Sequence, residues 1–74
     1  MSIEWTYCRL ADRPCTSRQL VMMMGGGHRA EVVVRRDLDR LLRRGDIRVA
    51  GYARNPKRRR ETDPRWLAVY EVVA

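Results

Sequence analysis

Long apolar runs are missing from this chain of 74 residues. None approaches the ~20 residues that a membrane-spanning helix needs, and residues 1–11 lack the basic start and apolar block of a secretory signal. The expectation is a soluble, intracellular protein with no membrane partner. Cysteine is scarce: Cys8 and Cys15 are the only two, too few for a disulfide framework and read as a reduced cytosolic pair. With His28, the single histidine, they supply at most three soft ligands, one short of a closed tetrahedral site, so no metal is expected. No nucleophile and acid accompany His28 in a triad pattern, and an enzyme is not expected. Gly25-Gly26-Gly27 suggests a phosphate loop, but no Gly-Lys-Ser/Thr follows, nor a second glycine at dinucleotide spacing. It reads as a tight turn between helices, and neither a cofactor nor a small-molecule ligand is expected. There is no internal repeat, and the only low-complexity tract is Lys57 to Arg60.

What the chain has in abundance is arginine, and it is concentrated. Residues 29–60 hold eleven Arg and one Lys against Glu31, Asp37, Asp39 and Asp46, a surplus of +8 within a chain whose net charge is +7. The remaining residues therefore carry almost no net charge between them. Such a concentrated distribution is the electrostatic footprint of a nucleic-acid-binding module. Arginine forks suit both phosphate and guanine.

Hydrophobic spacing gives the elements. Ile3, Tyr7, Leu10 and Ala11 recur at helical intervals, predicting a first helix over 3–12 that Arg13-Pro14 ends. Thr16-Ser17-Arg18-Gln19 has the form of a capping box, with Thr16 as cap and Gln19 reaching back. It opens a short second helix over 17–24, with Leu20 and Met24 on its inner face. The glycine triplet stops that helix, and a third runs over 29–44. Ala30, Val34, Leu38, Leu41 and Leu42 form its core stripe. Gly45 occupies the left-handed closing position, and Arg43 and Arg44 suit the negative end of the helix dipole. Strands are predicted over 47–52 and 66–73, joined by a basic loop over 54–65. In the second strand Trp66, Ala68, Tyr70 and Val72 share an apolar face.

The expected fold class is therefore α+β, three helices followed by a β-hairpin in one domain over 1–74. The passage Val34-Arg35-Arg36-Asp37-Leu38-Asp39-Arg40-Leu41-Leu42-Arg43-Arg44-Gly45-Asp46-Ile47-Arg48-Val49 resembles the recognition-helix-to-wing segment of DeoR-type and MarR-type bacterial or phage regulators. More loosely, the resemblance extends from Thr16 to Val73. It implies a winged helix-turn-helix domain that binds duplex DNA as a small transcriptional regulator, cytoplasmic and nucleoid-associated. The glycine turn and Ala30-Glu31-Val32-Val33 depart from the family pattern, which commonly places a Ser or Thr cap and small polar residues there.

On that reading the third helix enters the major groove, where Arg29, Val32, Val33 and Arg36 are the candidate base contacts. Thr16, Ser17, Arg18, His28, Arg40 and Arg43 are the candidate phosphate contacts. Arg54, Lys57, Arg58, Arg59 and Arg60 form the wing, lying along the backbone or in a minor groove and needing no fixed structure beforehand. Three alternatives stand beside it. The first is a recombination directionality factor with a similar fold. The second is an RNA-binding protein, since an arginine-rich loop is attracted to any polyphosphate. The third is a protein-interaction module docking through Val32, Met22 or Trp66. A homodimer follows if Trp5 and Trp66 are both exposed on one side.

Overall fold

The computed structural model describes residues 2–56 and 58–74, without the side chain of Ser2. The chain order is α1 (Ser2–Asp12), β1 (Cys15–Thr16), α2 (Ser17–Met23), α3 (His28–Arg44), β2 (Ile47–Arg54) and β3 (Trp66–Val72). The result is an α+β arrangement, three helices against a three-stranded antiparallel sheet of order β1-β3-β2.

Each helix ends for a local reason. In α1 the last turn closes with the Arg13 N–H on the Arg9 carbonyl, and Pro14 has no N–H with which to continue it. Thr16 caps α2 as expected: its hydroxyl accepts from the Gln19 N–H at 3.2 Å while the Gln19 side chain accepts from the Thr16 N–H at 2.8 Å. Both α2 and α3 finish in the paired 6→1 and 5→2 hydrogen bonds that a left-handed residue allows. For α2 these run from Gly26 to Val21 and from Gly25 to Met22, and for α3 from Asp46 to Leu41 and from Gly45 to Leu42. Gly25, Gly26 and Gly27 all have positive φ, yet a Cβ on any of them would meet nothing within 4 Å. Backbone handedness, not crowding, is what calls for glycine in this turn.

The buried centre consists of Leu10, Cys15, Leu20, Val34, Leu38, Leu41 and Ile47, with Ile3, Trp5, Tyr7, Val21, Met24, Tyr70 and Val72 packed around it. Two expectations for α3 need correction. Leu42 is 36% exposed and lies at one edge of the core stripe, while Asp37, 3% exposed, is buried at the opposite edge. The buried arc is rotated by part of a turn because α1 supplies a polar partner. Fully buried Thr6 donates its hydroxyl to Asp37 Oδ2 at 3.1 Å.

The sheet also differs from expectation at three points. Strand β1 was not foreseen. It pairs Cys15 with Tyr70 and Thr16 with Val69, which puts β3 in the centre. β2 runs to Arg54, two residues beyond the expected end, and carries a bulge between Val49 and Gly51. Trp66 shares its face with Ala68, Tyr70 and Val72 but not their burial: it is 59% exposed at the far end of the hairpin.

Candidate functional site

A groove of about 1060 Å³ runs between the helices and the hairpin. One wall is α2, through Ser17, Arg18, Val21 and Met22, followed by Gly26 and Gly27 of the turn. The floor is α3, through His28, Glu31, Val32, Arg35, Arg36 and Asp39. The opposite wall comes from the hairpin, through Asn55, Asp63, Pro64 and Leu67.

The exposed side of α3 follows from its 100° step. Arg29, Arg36, Arg40 and Arg43 are all exposed and form one outer edge. The groove side is mixed, with Arg35 between Glu31 and Asp39, one helical turn away on either side. Among the described residues neither acid is within ion-pair distance of Arg35; the ion pairs present, Arg44–Asp46 at 3.1 Å and Arg48–Glu71 at 2.7 Å, lie elsewhere. Both signs of charge are therefore free to meet a ligand.

The expected contact residues divide accordingly. Ser17, Arg18, His28, Val32 and Arg36 line the groove together. Arg29, Arg40 and Arg43 stand on the outer edge, and Val33 is half-buried on the flank. Thr16 is withdrawn from the candidate surface: it is 5% exposed, and its hydroxyl is engaged in the cap of α2. Arg35, outside the expected contact set, also lines the groove.

The loop between β2 and β3 has internal structure. Asp63 Oδ2 accepts from the Arg59 N–H at 3.1 Å and the Arg60 N–H at 3.2 Å, and the Asp63 N–H returns to the Arg60 carbonyl at 3.0 Å. Arg58 is spent inside the loop, its guanidinium donating to the carbonyls of Asp63 at 3.1 Å and Glu61 at 3.4 Å. At the base, Asn55 donates its side-chain amide to the Pro64 carbonyl at 2.9 Å and its N–H to the Arg65 carbonyl at 2.8 Å. The loop therefore does not lack prior structure: it is folded over Asp63, with Arg54, Arg59, Arg60 and Arg65 exposed around it. Lys57, expected in the same set, lies outside the described residues. The Asp-Pro pair at 63–64 marks a turn in the sequence but does not show that the Asp63 carboxylate organises the loop.

The two thiols differ. Cys8 is exposed, whereas Cys15 is buried and its Sγ lies 3.3 Å from the Arg13 carbonyl. Burial pushes the Cys15 thiol up, against a smaller lowering from the Arg13 guanidinium. Among the described residues no three of His, Cys, Asp and Glu gather as metal ligands, and no helix is long and apolar enough to cross a membrane.

Chemically, the site offers guanidinium groups from α2 (Arg18) and α3 (Arg35 and Arg36), an acid, Asp63, on the hairpin wall, and an apolar strip, Met22 (59% exposed) and Val32 (43% exposed), inside it. That suits a convex polyanion with apolar features on its surface. Compared with known proteins, the chain matches no family model, no curated protein and no solved structure.

Proposed function

We propose that this protein is a small DNA-binding regulator of the winged helix-turn-helix type. On this reading α2, the glycine turn and α3 form the helix-turn-helix, and the β2–β3 hairpin is the wing. The supporting observation is the groove itself, which Arg18 of α2 and Arg35 and Arg36 of α3 line from two elements, with the hairpin as its opposite wall. A lone basic helix face is often just solvated surface; charge converging from separate elements on one concavity is what a duplex requires. Arg35 and Arg36 reach base edges, Glu31 and Asp39 accept from cytosine amino groups, and Val32 packs on a thymine methyl. Arg18, Arg29, Arg40, Arg43, Arg59 and Arg60 contact phosphate.

The test is binding to a random-sequence duplex pool across a salt series, with the bound fraction sequenced. The expected result is salt-sensitive binding with an enriched motif. Replacing Arg59 and Arg60 with alanine lowers affinity for all duplexes and flattens the salt slope by roughly one unit per lost phosphate contact. Arg36→Ala instead erodes discrimination by about 1–3 kcal/mol at one base position. If the two variants act alike on every sequence, base reading by Arg36 is wrong. Absence of binding at low salt overturns the proposal.

The exposed pair Met22 and Val32 favours one rival, a protein partner seated in the same groove. In that case Val32→Ala costs more affinity for the partner than Arg36→Ala, and no duplex competes.

A further inference from the structure

Outside the groove, the largest exposed apolar side chains are aromatic and lie on the hairpin. Tyr52 is 70% exposed and Trp66 is 59% exposed. The register places Tyr52 opposite Ala68 and Arg54 opposite Trp66. Residues directly across an antiparallel pair point to the same side, and side chains alternate along each strand. Tyr52, Arg54 and Trp66 therefore share one face. Ala53 and Leu67, also paired, belong to the other, and it is Leu67 that lines the groove. Tyr52, Arg54 and Trp66 are not among the residues lining the groove, although Tyr70, farther along the same face of β3, is.

Two largely exposed rings on one strand pair are costly to leave in water. Tyr52 and Trp66 are diagonal neighbours, roughly 7–8 Å apart at the backbone. Arg54 stands across from Trp66. Flat rings spaced along a strand pair, with the Arg54 guanidinium beside them, match the two recurring parts of an unpaired polynucleotide: a base that stacks and a phosphate that needs a cation. Duplex DNA cannot use the rings, because its base faces are already stacked on one another. A second copy of this chain fits poorly. A two-fold contact would bring the patch against its own image and set the Arg54 guanidinium groups of the two chains against each other.

We propose that the Tyr52–Arg54–Trp66 face of the hairpin is a binding site for unpaired nucleotides, separate from the duplex-binding groove. The strand lies along β2 and β3 with one base on each ring, and a neighbouring phosphate contacts Arg54. A protein with both sites holds a duplex and an adjacent unpaired strand together, as at a melted junction. The proposal does not depend on the reading of the groove.

The probe is oligothymidylate. Trp5 is half-buried beneath the Arg9 guanidinium, 6.0 Å from its ring centroid. Trp5→Phe then leaves Trp66 as the only tryptophan, since the chain has two. Titration should quench the remaining fluorescence. In the otherwise unchanged chain, anisotropy of labelled oligothymidylate gives the affinities. Tyr52→Ala and Trp66→Ala should each weaken binding by roughly 5- to 150-fold. Trp66→Phe should keep most of the affinity, and duplex affinity should change by less than about twofold in all three variants. Overturning results are absence of quenching together with absence of oligothymidylate binding, alanine variants that bind like the parent, or concentration-dependent dimerisation abolished by Trp66→Ala. If duplex binding is absent while oligothymidylate still binds through the rings, only the proposal for the groove fails.

Discussion

Asp63 gives a prediction in which electrostatics and structure disagree in sign. It is an acid within the most basic loop of the protein, and treated as a charge it can only repel a nucleic acid. Removing it leaves a phosphate about 10 Å away with roughly 0.4 kcal/mol more attraction in water, before salt screening. That corresponds to binding at most about twofold tighter. In the structure, however, its carboxylate accepts the Arg59 and Arg60 N–H groups. Exposed hydrogen bonds of this kind contribute about 0.5–1 kcal/mol each, so Asp63→Ala should loosen the loop by about 1–2 kcal/mol. Ordering the loop then falls to the binding step, which becomes roughly 5- to 30-fold weaker for every duplex. Asp63→Asn keeps an oxygen acceptor and loses the charge, so it should bind as well as the parent or up to about twofold tighter. The assay is duplex titration of the three proteins at one salt concentration, with circular dichroism to show an unchanged fold. Equal tightening by both substitutions would refute the preorganised loop and leave Asp63 as a charge alone.

Two further expectations concern stability and reactivity. Thr6→Val keeps the shape of a fully buried side chain but removes the donor to Asp37; the loss should be about 1–3 kcal/mol, seen as a fall in Tm of roughly 4–8 °C per kcal/mol. A Tm unchanged from the parent would mean that the pair adds nothing to the docking of α1 on α3. A thiol reagent at neutral pH should modify Cys8 in the native protein and reach Cys15 only at the rate of unfolding; equal rates would contradict the burial of Cys15. Because burial raises the folded pKa of the Cys15 thiol above its unfolded value, its contribution to stability is complete below the unfolded value of about 8.5 and is lost as pH rises through the folded one.

The parts of the fold that could be read from the sequence are those with a repeating or stereochemical signal. Three helices, their order, the Thr16 cap and the Gly45 ending follow from apolar spacing and from residues with few roles. The parts that could not be read have no such signal. Strand β1 is two residues long, too short for any periodicity, and exists because β3 offers an unpaired edge. Asp37 is charged, and nothing in the local spacing announces its burial or its hydrogen bond from Thr6, 31 residues earlier. Leu42 looked like core because hydrophobicity alone cannot tell the middle of a stripe from its edge. For the candidate site, the sequence showed where the arginines concentrate but not which of them are already engaged. Arg58 and Arg59 look equivalent in the run, yet the Arg58 guanidinium is tied to loop carbonyls. The aromatic face was equally hidden, since it depends on the β2–β3 register.

Thr16 has a consequence that extends beyond capping. It is the last residue of β1 and the cap of α2 at once, so the hydrogen bonds that hold it to Val69 and those that start α2 meet in one residue. β3 grips Thr16 through Val69 at its middle and carries the arginine loop at its start. The two walls of the groove are in this way joined through backbone, where side-chain rotation cannot slacken the link. A load on the hairpin tip is passed along β3 to the start of α2, so the two walls resist moving apart. Spacing between whatever the helices hold and whatever the hairpin holds is then a fixed gauge of the molecule, and a ligand too wide for it is rejected even when every individual contact is available.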